Sequence, residues 1–149
     1  MLDRILKQIP KTDPDLVIGS LTIWVTGFTA EHQRGQGDNA YLSTPTLLVT
    51  DNIVALSTMS QTAVFDFRQF LKDLSYMYQN TASNQALEFT PADGEFSLKL
   101  TSNDLGHIKI THKFSSRVYK GNLEFEEMID QSYLPKMIGN VRLILDKEY

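Results

Sequence analysis

From Leu16 to Phe28 apolar residues recur at alternate positions on two faces, Val17, Leu21, Ile23 and Val25 on one and Ile18, Trp24 and Phe28 on the other. That period of two predicts a strand covered on both sides. Ahead of it, Leu2, Ile5, Leu6 and Ile9 follow i, i+3, i+4, i+7 spacing and predict a short amphipathic helix over residues 1–10, broken by Pro10, Asp13 and Pro14. So short a helix needs packing to persist, and its stripe is expected to cover the Trp24 side. Strand character resumes at Tyr41–Val49, interrupted by Pro45, which predicts an edge position or a bulge. A turn at Asp51-Asn52 leads to a third strand, Ile53–Met59, so residues 16–60 read as a three-strand antiparallel meander. The polar segment Glu31–Asn39 contains glycine without phosphate-loop spacing and reads as a loop.

The period changes after residue 65. Phe67, Phe70, Leu71, Leu74, Met77 and Tyr78 form a helical stripe over residues 66–80. Asp66 is expected to cap it with Gln69 reaching back, and Phe65 with Phe70 to form a hydrophobic staple. Four further strands are predicted over residues 86–130: Ala86–Thr90, Glu95–Thr101, Leu105–Phe114 and Leu123–Ile129, separated by turn residues such as Asp93-Gly94 and Gly121-Asn122. Alternation in the middle two gives one core face and one polar face. The closing helix, 132–147, carries Leu134, Met137, Ile138, Val141, Ile144 and Leu145 on one stripe, with Ser132 as its expected cap. Gly139 inside it costs about 1 kcal/mol relative to alanine, so a close approach to the sheet is expected there. The pattern predicts a single α+β domain over residues 1–149: a mostly antiparallel sheet of about seven strands, two main helices and a short N-terminal helix.

Composition narrows the function classes. The 149 residues suffice for one hydrophobic core. Cysteine is absent, which removes disulfide scaffolds and thiol chemistry and is compatible with a cytoplasmic location. Fourteen basic against eighteen acidic residues leave a net charge of −4 and a pI near 5.3, which speaks against direct nucleic-acid binding. Charges interrupt the N-terminal apolar residues, and no stretch reaches membrane-spanning length, so no membrane partner is expected.

Candidate chemistry is sparse. His107 and His112 are five apart on one predicted strand and point to opposite faces, so they do not share a metal ion. Pairing Phe114 opposite Phe125 would put His112 opposite Glu127, a hydrogen-bonded core pair before it is a catalytic one. Glu124, Glu126 and Asp130 project from the other face near Lys109 and Lys113. Ion pairing is their first reading, a partner surface their second and acid-base catalysis their third. Ser57-Thr58-Met59-Ser60 and Ser115-Ser116 lack a nucleophile elbow. His32 reads as a solvated loop residue. No metal or cofactor is expected.

The helix start Val64-Phe65-Asp66-Phe67-Arg68-Gln69-Phe70-Leu71-Lys72-Asp73-Leu74 and the corner from Phe125 to Pro135 resemble the WapI-type immunity proteins. The likeness is strongest at Ile129-Asp130-Gln131-Ser132-Tyr133-Leu134-Pro135, weaker at Gly94-Glu95-Phe96-Ser97-Leu98 and Gly106–Ile110, and extends over residues 16–145. The N-terminal helix and the 31–39 loop have no counterpart, and Tyr41 stands where tryptophan is expected. The resemblance implies a bacterial, cytoplasmic, non-enzymatic protein that neutralises a cognate toxin domain by covering it, over an interface of about 1,600 Å², as a monomer or weak dimer. It assigns no contact residue. Exposure and charge alone nominate Glu31, Asp38, Glu124 and Glu126, with Tyr41 and Tyr119 as aromatic anchors. Two other readings stand beside it: a ligand-binding protein or enzyme with a pocket between sheet and helix around His112 and Glu127, and a module that dimerises through an edge strand.

Overall fold

The computed structural model describes residues 2–29, 34–80, 83–91, 94–115, 121–147 and 149. The α+β reading holds, with antiparallel sheets and two main helices, but the strands divide among three sheets instead of one. Sheet A contains β1 (Leu16–Ile18), β2 (Leu21–Ile23), β5 (Thr46–Val49) and β6 (Val54–Ser57), in the order β1-β2-β5-β6. Sheet B contains β3 (Gly27–Phe28), β4 (Tyr41–Ser43) and β7 (Gln61–Ala63), in the order β3-β4-β7. Sheet C contains β8 (Gln85–Phe89), β9 (Phe96–Ser102), β10 (His107–Ser115) and β11 (Asn122–Asp130), with β11 and β8 at its edges.

Sheets A and B are the expected meander, bent. Leu21–Phe28 pairs with Tyr41–Val49, which pairs with Val54–Ala63, and each strand leaves sheet A for sheet B at a corner. Pro45 marks that corner: it has no amide to donate, and its carbonyl accepts from Trp24 N at 3.0 Å. Hydroxyls fill the bend. Thr44, Thr46, Ser60 and Thr62 are fully buried, Thr44 Oγ1 and Thr62 Oγ1 lie 2.9 Å apart, and both Thr46 Oγ1 and Ser60 Oγ donate to the Thr44 carbonyl. The first strand is shorter than expected because Gly19-Ser20 turns it back on itself. Gly19 has φ +57° and among the described residues no non-glycine residue has positive φ, the pattern of a two-residue type II′ hairpin. The turn resets the alternation, so Leu16, Ile18, Leu21 and Ile23 are all buried while Val17 is exposed. At the N-terminus, helix α1 (Leu2–Leu6) has five residues instead of ten. Leu6 is exposed, and the Trp24 indole donates to the Thr12 carbonyl in the segment that follows.

Helix α2 (Val64–Gln79) starts two residues before the expected position, and Asp66 sits in its first turn, accepting from Ala63 N at 3.2 Å. The staple does not form: Phe65 is 57% exposed while Phe70 is buried, and Tyr78 is also exposed. Helix α3 (Leu134–Asp146) follows a 3-10 turn, Gln131–Tyr133, capped by Asp130, whose carboxylate accepts from Ser132 N at 2.8 Å. Asp130 therefore does the work expected of Ser132. Nor is Gly139 a contact point, since a Cβ built there meets nothing within 4 Å. Gly139→Ala should accordingly stabilise the protein by about 0.5 to 1 kcal/mol, read as a higher urea midpoint. A lower midpoint would mean that the helix approaches a neighbour at that position.

The two helices pack on each other, α2 against β8 and α3 against β1. An aromatic chain crosses from helix to sheet: Phe70 stacks on Phe89 with centroids 4.5 Å apart, Phe89 meets Phe96 at 6.1 Å, and Phe96 meets Phe114 at 6.3 Å. These rings join one cluster of buried residues drawn from all three sheets and both main helices.

Candidate functional site

Sheet C separates two kinds of chemistry by the parity of its residues. On its inner face β10 presents Ile108, Ile110, His112 and Phe114, all buried, and β11 presents Leu123, Phe125, Glu127 and Ile129, all half-buried. The strand register pairs His112 with Phe125 and Glu127 with Ile110, not His112 with Glu127 as expected from the sequence. The two still meet, diagonally, with His112 Nε2 and Glu127 Oε1 2.8 Å apart. The slip of two residues keeps every side chain on its predicted face, which is why the pair survives it.

The carboxylate is held from below by the β1–β2 turn. Ser20 N donates to Glu127 Oε1 and Ser20 Oγ to Oε2, both at 2.6 Å. Space for this comes from Gly19, where a Cβ would stand 1.8 Å from Glu127 Oε1. Burial raises the Glu127 pKa, but the Ser20 hydroxyl and amide and the His112 ring together outweigh it, and the net value lies below the ordinary 4.5. Burial lowers that of His112 below 6.5, against the pull of Glu127. His112 is thus neutral at pH 7, its Nε2–H donates to the carboxylate, and Nδ1 has no hydrogen-bond partner among the described residues.

Both shifts act in the same direction on stability. A depressed carboxyl contributes stability that is present above its unfolded value and lost as pH falls through the folded one. A histidine with depressed pKa binds a proton more readily when unfolded, so stability is also lost as pH drops below about 6.5. The urea midpoint should therefore fall as pH is lowered from 7.5 to about 4, and His112→Phe should flatten the upper part of that profile. An unchanged profile in the variant would place the titration elsewhere.

On the outer face, Lys99, Lys109 and Lys113 occupy the two central strands, and Glu88, Glu124 and Glu126 the two edge strands. Lys99 is opposite Glu88 and Lys113 opposite Glu124, while Lys109 Nζ lies 3.9 Å from Glu126 Oε1 with both side chains about half exposed. Such exposed pairs contribute about 0.2 to 1 kcal/mol each. With Thr101 and Thr111 they line an open hollow of about 480 Å³. His107 is exposed on this same side, opposite Asp130, and away from His112 as expected.

The nominated contact residues do not form one patch. Glu124 and Glu126 share the outer face of β11. Asp38 lies in a 3-10 turn, Arg34–Asn39, within what reads as a loop, and accepts from Arg68 Nε on α2 at 2.6 Å. Tyr41 is half-buried in β4, opposite Ala63. Glu31 and Tyr119, with His32, lie outside the described residues. The pocket reading requires a solvent-reachable His112, and His112 is fully buried. A cleft of about 520 Å³ does open nearby between β1, β11 and the start of α3, but neither His112 nor Glu127 lines it. Among the described residues no three His, Asp or Glu gather as a metal site, and no helix is long and apolar enough to cross a membrane. Sequence reasoning missed the Ser20 partner of Glu127. Gly-Ser between Leu16-Val17-Ile18 and Leu21-Thr22-Ile23 is a hairpin signal, hidden by an apolar alternation that runs through it.

Fold and site together define an α+β protein with an ionisable pair tied into its interior and a charged, uncovered sheet face. The family model of the immunity protein WapI-like family matches residues 18–148, and the chain belongs to that family. The family suggests a toxin-neutralising role. No individually curated protein matches the chain. Among solved structures it is similar to a chain from the crystal structures of Trypanosoma bruciei MRP1/MRP2, with 11% identity, 96% of this chain and 92% of that one covered, and a TM-score of 0.39.

Proposed function

We propose that the protein binds a cognate toxin domain and neutralises it by occlusion, contributing shape and charge but no chemistry of its own. Family membership gives the partner class. The observation that carries the mode of action is the outer face of sheet C, whose Lys99, Lys109, Lys113, Glu88, Glu124 and Glu126 are left to solvent while Glu127 is saturated by Ser20 and His112. A patterned array of both signs favours register and selectivity over raw affinity, which suits recognition of one partner among many. The protein acts from the cytoplasm, as a monomer or weak dimer. Calorimetric titration against the C-terminal domain of a large secreted protein encoded immediately upstream tests this reading. One-to-one binding with loss of the toxin's activity at the same stoichiometry is expected. Absence of binding at micromolar concentrations would sink it.

A further inference from the structure

Among the described residues the outer side of β11 is a long strand edge without a partner strand, and its outward hydrogen-bonding groups can be placed. Gln131 N donates to Gly106 O at 2.9 Å, extending the β10–β11 ladder by one hydrogen-bonded pair. In an antiparallel ladder such pairs alternate with non-bonded ones. Residues 123, 125, 127 and 129 therefore turn their amides and carbonyls toward β10, and Asn122, Glu124, Glu126, Met128 and Asp130 turn theirs away. The register is unbroken over nine pairs, β11 contains no proline, and no described strand pairs with its far side. At about 3.4 Å per residue this is an edge of about 30 Å, the kind that proteins usually shorten, bulge or cover.

Charge selects what can pair there. The residues with outward amides also carry the outer-face side chains, and three of the five are acids. A second copy pairing antiparallel about a twofold axis normal to the sheet would set this acidic row against itself, which is unfavourable across strands. A strand with basic residues at alternate positions would meet Glu124, Glu126 and Asp130 in the pattern Lys109 and Lys113 already follow on the other side. At the Asp130 end the edge runs into the 520 Å³ cleft, where Val17, Met128 and Tyr133 are exposed and offer an apolar seat for an anchoring side chain. We infer that β11 is a docking edge for an extended basic segment of the partner, which adds to sheet C as a fifth strand. The assignment takes the toxin domain as the source of that strand and so rests on the reading above.

Amide hydrogen exchange followed by NMR tests the edge on the full chain. The probes are a synthetic peptide of the length of β11 that alternates lysine and valine, and its glutamate-valine counterpart. The lysine peptide alone should protect the amides of Glu124, Glu126 and Met128, and Glu126→Lys should weaken its binding by about tenfold or more. Binding without that protection, equal binding of both peptides, or no binding at about millimolar concentration overturns the assignment. With the toxin domain as probe, Glu126→Pro removes one outward amide while sparing the native ladder, and Glu126→Lys serves where the proline variant does not fold. If the unmodified protein neutralises the toxin and both variants do so equally well, the edge assignment falls while the toxin reading stands. If the unmodified protein fails to bind the toxin domain but the peptide results hold, the toxin reading falls alone.

Discussion

Replacing Glu127 with alanine should destabilise the protein by about 3 kcal/mol, measured by urea denaturation at pH 7.5. Three donors lose their acceptor at once: Ser20 N, Ser20 Oγ and His112 Nε2. Ser20 is half-buried and can turn to water, whereas His112 is fully buried and cannot. The cost is thus mainly an unpaired donor inside the core, and a second substitution tests this. His112→Leu made in the Glu127→Ala background should cost much less than the same change in the unmodified protein, because removing both partners leaves no polar group stranded. Additive effects would show that the pair is not coupled, and a loss below about 1 kcal/mol would show that the carboxylate is not the fastening described above.

The other large effect belongs to the aromatic chain. Phe70→Ala should cost about 3 to 5 kcal/mol, since Phe70 is buried, stacks on Phe89 and with Phe67 holds α2 on sheet C. Phe65→Ala, five positions earlier on the same helix, should change stability by less than about 0.5 kcal/mol, because its ring is more than half exposed. Chemical denaturation of the two variants side by side discriminates the structure from the staple expected on sequence grounds. Similar losses in both would contradict the exposure of Phe65.

Those two phenylalanines also show where sequence reasoning reaches its limit. Helical spacing placed Phe67, Phe70, Leu74 and Met77 on the buried stripe, and all four are buried. The same spacing enrolled Tyr78, which is exposed, because period alone does not say how wide a stripe the neighbouring elements cover. Strand parity was legible along β10: His107 outward and His112 inward follow from alternation. Register was not, since the pairing of β10 with β11 depends on the turn between them. In the sequence Pro45 predicts an edge position or a bulge, whereas the strands on either side of it belong to different sheets. Local sequence signals the interruption, and only packing tells where the chain goes next. The acids at 124 and 126 were legible as an outer-face pair. Their position on an open edge was not, since strand order within a sheet is a long-range property.

Gly19 and Glu127 finally bear on how the molecule is made. The β1–β2 turn places its amide and hydroxyl for a carboxylate 107 residues downstream of Ser20, so during synthesis that turn waits, solvated, until the residues between them have emerged. Contacts at such separation are slow to form. Closure of the Ser20 contact is then expected to come late in folding, with β11 locking a hairpin made long before it.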